Sequence, residues 1–350
     1  MAEGSVLRLE QLTKRFGDRA ALDKISFSVN SGEYVSLLGP SGSGKTVLLR
    51  AIAGFETPEE GRVIIVGEDV TRMPPHLRGI GFVFQNFALF PHLSVFDNVA
   101  FGLRNGWEKL AESDTRRRTL EMLDLVGLNG LEKRGVHQIS GGQKQRVALA
   151  RTLVIKPKLV LLDEPLGALD ANLRLRMRVE LRRIREQLGI PFLHVTGSES
   201  EALAMGDRLI VLDRGAVSQF GRPGEIYENP ANPNVAKFLN CYNVFDGSVQ
   251  GDAFVTNYGS IPLARRVASS KPAYAVRYDR VTTRADAGAG LSAAYIASEY
   301  MGSAIMHFFE TPDGKVVEFE HHLSNGPPEA YEAGRTYRLS WRPEDGIAFV

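Results

Sequence analysis

Three stretches of this 350-residue chain carry residue types whose spacing suits phosphate chemistry. Gly39-Pro40-Ser41-Gly42-Ser43-Gly44-Lys45-Thr46 fits the pattern G-x-x-x-x-G-K-[ST]. Its glycines let the backbone wrap closely around phosphates with N–H groups pointing inward. The helix that follows adds its positive N-terminal end. Lys45 supplies a cation for the outer phosphates and Thr46 a hydroxyl for Mg²⁺. Leu159-Val160-Leu161-Leu162-Asp163-Glu164 is a buried-type strand ending in two acids. By itself such a pair reads equally well as a helix N-cap. Behind the glycine loop it becomes a second element, with Asp163 placed to hold Mg²⁺ and Glu164 to orient or deprotonate an attacking water. Ser140-Gly141-Gly142-Gln143 then opens a helix running to Leu153. That is a second helix N-terminus built to grasp an anion, and one nucleotide does not need two such devices from one chain.

The surrounding pattern supplies elements that position these residues. Residues 5–35 alternate apolar and polar and read as short strands. Glu33 to Leu38 reads as a buried strand and Thr46 to Ala53 as a helix, giving strand, glycine loop, helix. Short apolar runs at Ile80–Phe84, Leu159–Leu162 and Phe192–Val195, separated by helical patterns, predict a mostly parallel sheet covered by helices. Residues 87–138 read as mainly helical, 171–188 as an arginine-rich amphipathic helix, and 208–219 as a hairpin turning at Asp213-Arg214-Gly215. Two prolines in Asn229-Pro230-Ala231-Asn232-Pro233 mark a change of character. After a short helix to about Leu239 the chain reads as β, with strands at Ala273–Val276, Ile305–Phe309, Val316–Phe319 and Tyr337–Trp341 and a turn at Pro312-Asp313-Gly314. Arg277-Tyr278-Asp279-Arg280-Val281 is faintly echoed by Arg342-Pro343-Glu344-Asp345-Gly346-Ile347, which hints at a duplicated β unit. The expected domains are therefore 1–240 and 241–350, in line with roughly 100–200 residues per domain.

Composition narrows the class. The chain is 43% hydrophobic and 24% charged, enough for a large core, and its net charge of +1 provides no field to recruit nucleic acid or anionic lipid. The run Arg116-Arg117-Arg118 reads as a solvated helix face. A single cysteine, Cys241, makes no internal disulfide and fits a reducing compartment. Met1-Ala2-Glu3-Gly4-Ser5 has no secretory pattern, and no run reaches the ~18 apolar residues of a spanning helix. Any membrane role is therefore expected to come through partners.

Taken in order, these motifs resemble the ATP-binding subunits of ABC transporters, over about Leu7 to Leu239. Ser140-Gly141-Gly142-Gln143 matches that family's signature, Gln85 its Q-loop glutamine, Gly167-Ala168-Leu169-Asp170 its D-loop, and Phe16 its adenine-stacking aromatic. The resemblance implies a P-loop NTPase cassette of α/β class, with a RecA-like core, an antiparallel β subdomain and a helical signature subdomain. It implies ATP and Mg²⁺ as ligands, with Thr46, Gln85 and Asp163 toward the metal, and ATPase activity coupled to transport. It implies a head-to-tail dimer with each ATP between Lys45 of one copy and Ser140 of the other. Two transmembrane permease subunits and, indirectly, a substrate-binding protein would complete an importer on the cytoplasmic face of the membrane. Gln85 would touch Mg²⁺ or water and sense the permease. The segment Phe87-Ala88-Leu89-Phe90 reads either as core or as part of a groove for the permease.

One departure stands out. Where the family ends a strand with Thr-His-Asp, this chain reads Thr196-Gly197-Ser198. Gly197 offers no side chain to the γ-phosphate, and His194 lies three residues too early in the strand to replace it. Deliberate trapping of an ATP-bound state and natural slow hydrolysis both remain open. The C-terminal stretch resembles the all-β, OB-like TOBE domain of importer subunits, through its placement, its β pattern and Trp341-Arg342-Pro343-Glu344-Asp345. Asn243-Val244-Phe245-Asp246-Gly247 resembles the polyamine, opine and phosphonate importer group; sugar, ferric iron, sulfate and molybdate importers are close relatives. Glu318, Glu320 and His322 share a strand face, and a solvated strand end is preferred there to a metal site. Two other classes fit less well: a soluble ABC ATPase of repair or translation, which usually carries long coiled coils or tandem cassettes, and a regulatory subunit that binds ATP with little turnover, against which the retained Glu164 argues.

Overall fold

The computed structural model describes residues 4–106, 110–264, 272–284 and 290–349. The reading of Met1–Glu3 lies outside them. The chain separates into two compact units, Met1–Ile226 and Tyr227–Val350. This division lies ahead of the 240/241 boundary expected from the sequence. The reason is local: the Tyr242 hydroxyl donates to the carbonyls of Tyr227 and Glu228, at 2.7 and 3.3 Å, and the Arg277 guanidinium lies over the Tyr227 ring. The double-proline stretch thus belongs to the second unit.

In the first unit, β1 (Ser5–Phe16) and β2 (Arg19–Asn30) form an antiparallel pair of twelve-residue strands. They were expected as several short strands because the alternation breaks. Gln11 and Lys24 have φ of 48° and 49°, and the register shifts between Leu9 and Leu12 and again before Lys14. Such bulges insert a residue and flip the face of everything after it. β3 is Tyr34–Leu38 and α1 is Lys45–Ala53. Two strands not foreseen, β4 (Glu60–Ile65) and β5 (Glu68–Asp69), complete the antiparallel sheet in the order β2-β1-β4-β5.

The central sheet is built from β3, β6 (Ile80–Val83), β7 (Leu159–Asp163), β8 (Phe192–Thr196), β9 (Arg208–Asp213) and β10 (Ala216–Gly221). Its order is β10-β9-β3-β8-β7-β6; only β10 runs antiparallel. These strands are covered on both faces, so alternate residues feed two cores. Val35, Leu37, Leu159, Leu161, Leu193 and Val195 pack with α1 and the antiparallel sheet. Tyr34, Val160, Leu162 and Phe192 face the opposite core. That core also takes side chains from α2 (Val95–Asn105), α3 (Glu112–Leu125), α4 (Gly141–Leu153) and α5 (Ala171–Leu188). Only part of 87–138 is helical, because Pro91 and the Gly127–Gly135 turns interrupt it. α6 (Glu199–Met205) follows β8, and α7 (Pro223–Glu228) carries the chain to the division.

The second unit begins with α8 (Pro233–Phe238) and is otherwise β. β11 (Tyr242–Asp246) pairs with the strand Ala273–Arg277, which pairs in turn with Gly346–Phe349. A larger antiparallel sheet holds the remaining strands, among them Gly290–Tyr300, Ala304–Glu310 and Val316–His322. The sequence echo is structural. Arg277 and Arg342 each precede a single 3-10 turn, Tyr278–Arg280 and Pro343–Asp345. Each arginine also chelates an acid of its turn, Asp279 and Asp345, through two hydrogen bonds. Glu318 accepts from the Tyr278 hydroxyl and Glu320 pairs with His322 at 3.4 Å. No metal-holding group of His, Cys, Asp or Glu occurs among the described residues.

Candidate functional site

The parallel strands deliver their C-terminal ends to one edge of the sheet, where α/β folds bind ligands. Leu38 pairs with Thr196 and Val211, Asp163 with Val195, and Val83 with Leu162. The loops leaving β3, β6, β7, β8 and β9 therefore meet at this edge. Those leaving β3, β7, β8 and β9 border a cleft of about 1100 Å³ lined by Phe16, Gly39–Val47, Glu164 and Gly197; the loop leaving β6 reaches it only through the Gln85 bond to Glu164. The cleft is also lined by Arg19, Ala20, Ala21 and the turn Asp213-Arg214-Gly215. Motif reading missed these last residues. The turn signal at Asp213-Arg214-Gly215 was visible, but its position at the cleft depends on strand order.

The glycine loop is shaped by its surroundings as well as by its own residues. Gly42 and Gly44 have φ of 76° and 103°, conformations that favour glycine. A Cβ at Gly44 would lie 2.4 Å from the Ala21 carbonyl oxygen, and one at Gly39 would lie 2.2 Å from that of Leu212. Gly215 ties the turn to the loop, donating its N–H to the Ser43 carbonyl at 3.0 Å. Gly44 caps α1 in the left-handed region, so the chain enters the helix at Lys45. Lys45 is buried, and its Nζ donates to the carbonyls of Gly39 and Pro40 at 2.7 and 2.9 Å. Burial lowers its pKa, opposed by the negative charges of Glu164 and Asp163. Phosphate oxygens in the cleft would give this ammonium better acceptors than backbone carbonyls.

The two acids sit opposite. Thr46 Oγ1 donates to Asp163 Oδ1 at 3.4 Å. Burial, then the neighbouring Glu164 charge, raises the Asp163 pKa. These hard oxygen donors fit Mg²⁺, which keeps few protein ligands beside phosphates and water. Glu164 has φ of 44° and donates its N–H to the Val195 carbonyl at 3.0 Å. A non-glycine residue in that region is held by its context, here the adjacent strand β8. Gln85 Nε2 donates to Glu164 Oε2 at 3.1 Å, bringing together two residues 79 positions apart.

Phe16 is 52% exposed at the cleft margin, with Lys14 Nζ 5.2 Å from its ring centroid. An exposed aromatic is what stacking on a base requires, and a core role is ruled out. Gly197 lines the cleft, and the only atom that a Cβ there would meet is Glu164 Oε1 at 4.0 Å. His194 is fully buried, edge-on to Tyr34, with neither ring nitrogen hydrogen-bonded. It is absent from the cleft lining.

Burial lowers the His194 pKa from 6.5 to about 3, with Arg178 contributing less. The ring is neutral in the fold but protonates in the unfolded chain below about 6.5, so the unfolded state binds more protons in that window. Stability contributed by this site is therefore present above pH 6.5 and falls as the pH drops toward 3. Chemical denaturation of His194→Leu should show a shallower acid loss than the parent between these limits. Equal slopes would remove His194 from the account.

The second anion grip lies elsewhere. None of Ser140, Gly141, Gly142 and Gln143 lines the cleft. Ser140 caps α4 in a reciprocal box, accepting from Gln143 N at 3.4 Å while Gln143 Oε1 accepts from Ser140 N at 2.9 Å. Ser140 and Gly141 are exposed; Gly142 is buried against Leu173. Asp170 caps α5 by accepting from Leu173 N at 2.9 Å and is exposed outside the cleft.

Comparisons with known proteins agree with this layout. The ABC transporter family matches residues 22–167 and the TOBE domain family residues 274–349. A spermidine/putrescine import ATP-binding protein of Rubrobacter xylanophilus is 42% identical over 96% of this chain and 91% of its own length. An Fe(3+) ions import ATP-binding protein of Brucella abortus is also 42% identical, over 89% and 90% respectively. The dimeric post-hydrolysis structure of an ATP-binding cassette bound to ADP and Pi is 33% identical, with a TM-score of 0.55. It covers 62% of this chain and 98% of that one. With this likeness over nearly its whole length and the nucleotide cleft at the sheet edge, the chain belongs to the ATP-binding subunits of import-type ABC transporters, ATPases that carry a C-terminal TOBE domain.

Proposed function

We propose that two copies of this chain, packed head to tail on a pair of membrane permeases, bind two MgATP and use their hydrolysis to drive uptake of a polyamine. The observation that carries the dimer is the separation of the two anion grips. The glycine loop and Glu164 line one cleft, with Asp163 beside it through Thr46, while Ser140 presents an exposed helix N-terminus outside it. A second copy supplying Ser140 across the cleft would complete the phosphate shell. Lys45 and the loop N–H groups would hold the phosphates, Phe16 the base, and Thr46, Asp163 and Gln85 the Mg²⁺ side. The ion would offset charge on the phosphate oxygens. Glu164 would orient the water and take its proton, with Gln85 fixing its carboxylate. Among the described residues no helix is long and apolar enough to cross a membrane, so attachment is assigned to the permeases on their cytoplasmic face.

The cargo assignment follows relatives named for spermidine/putrescine import. A ferric-import relative stands at the same identity, so the choice is tested directly. Cells carrying the intact chain should take up labelled spermidine, and cells carrying Lys45→Ala should lose that uptake by at least about tenfold. Loss of ferric uptake with spermidine uptake unchanged would replace the cargo. No change in either would sink the transport role.

A further inference from the structure

Phe87 and Ala88 are the one pair of consecutive non-glycine residues with positive φ among the described residues, at 63° and 45°. They lie two and three residues after Gln85. Backbone in this region persists only where neighbours over-determine it. The principal neighbour is Arg151, on the last turn of α4. Its Nη2 donates to the Phe87 carbonyl at 2.9 Å and its Nη1 to the Ala88 carbonyl at 2.7 Å. Its guanidinium lies 5.4 Å from the Phe90 ring centroid. Asn98 of α2 anchors the other end, accepting from Phe90 N at 2.9 Å and donating to its carbonyl at 3.1 Å.

α4 therefore joins two functional ends. Ser140 caps its start, and Arg151 lies about three turns later, roughly 17 Å along the axis. Between them Val147, Ala148, Leu149 and Ala150 are fully buried, and the helix runs unbroken from Gly141 to Leu153. Arg151 has no carboxylate partner among the described residues; its planar fork is used on two backbone carbonyls.

We infer that Arg151 is a positioning residue which couples the signature helix to the glutamine loop: displacement of α4 at Ser140 moves the Arg151 fork, and the fork decides whether Phe87-Ala88 stays left-handed and Gln85 stays on Glu164. This rests on the proposed reading that Ser140 engages nucleotide held by a second copy. Without the fork, Phe87 and Ala88 relax to ordinary backbone conformations and Gln85 leaves the Glu164 carboxylate. The loop is then the two-state element that both ends bias.

The test uses the full chain with Arg151→Met, which keeps the apolar stem and removes both donors, and Arg151→Lys, which keeps one point donor. Arg151→Met should lower kcat for MgATP by about tenfold or more, with nucleotide affinity within about twofold and an unshifted melting temperature. Arg151→Lys should recover part of the loss. Combined with Gln85→Ala, Arg151→Met should add nothing, as expected when both act through one contact. Losses that multiply would overturn the inference. A second readout needs no turnover. In a Glu164→Gln background, MgATP should slow amide exchange across residues 84–90, and Arg151→Met should abolish that response; an unchanged response would overturn the inference. If Arg151→Met does not fold, Arg151→Lys is read the same way. A parent chain without turnover would count against the proposed ATPase cycle, while the exchange readout would still decide the role of Arg151.

Discussion

Glu164→Gln should reduce MgATP hydrolysis by a factor of about 10² to 10⁴, the range a positioned general base contributes, while leaving nucleotide binding intact. The amide matches the carboxylate in size and cannot take a proton from water. Its nearest polar neighbours do not replace it. Asp163 is turned toward Thr46, and Gln85 reaches the site only through its own bond to Glu164. The Glu164 backbone, with φ of 44° braced on Val195, does not depend on the side-chain charge, so the loop should keep its form. Phosphate release and equilibrium nucleotide titration on matched preparations give the two quantities. Turnover within threefold of the parent would remove Glu164 from the chemistry and force a water-activating role onto the nucleotide itself.

Gly197→His should raise turnover by about tenfold or more, because one well-placed donor to a developing phosphate charge is worth about 10²–10³ in comparable sites. The space for it exists. A Cβ at Gly197 meets only Glu164 Oε1, at 4.0 Å, and Gly197 is not among the positive-φ positions, so a side chain brings no backbone strain. The strand end beside it is held in place: Thr196 Oγ1 donates to Glu201 Oε2 at 2.9 Å and accepts from Ser198 N at 3.0 Å. The loop is therefore already in place for an imidazole. The gain should appear in kcat with KM little changed, since the donor acts on charge that develops during transfer. Free imidazole should stimulate the parent and leave Gly197→His unaffected. A histidine variant no faster than the parent would mean that the glycine is not the limiting feature.

The site was legible in sequence to the extent that its parts are contiguous. Gly39–Thr46 encodes its own conformation, because a glycine at each left-handed position and a helix start at Lys45 are local choices. The same holds for Ser140–Gln143, whose reciprocal cap closes within four residues. Asp163 and Glu164 follow from a buried strand that ends in acids. Less was legible where the pattern was interrupted. The bulges at Gln11 and Lys24 disguised two long strands as several short ones, and β4 and β5 were missed because half of β4 and both residues of β5 face solvent.

By itself the sequence determined the glycine loop, the acid pair, the Ser140 helix start and the glycine at position 197, since each is written in neighbouring residues. Tertiary structure alone decided which of them meet. The strand order β9-β3-β8-β7 sets Asp213-Arg214-Gly215, the glycine loop, Gly197 and Glu164 along one edge, although some 175 residues of chain lie between the first and last of them. It also decided that Ser140 lies outside the cleft, that His194 is core, and that Arg151 reaches back to Phe87 and Ala88. The physical reason is that strand pairing and side-chain reach act between residues far apart in the chain, and no local spacing records them.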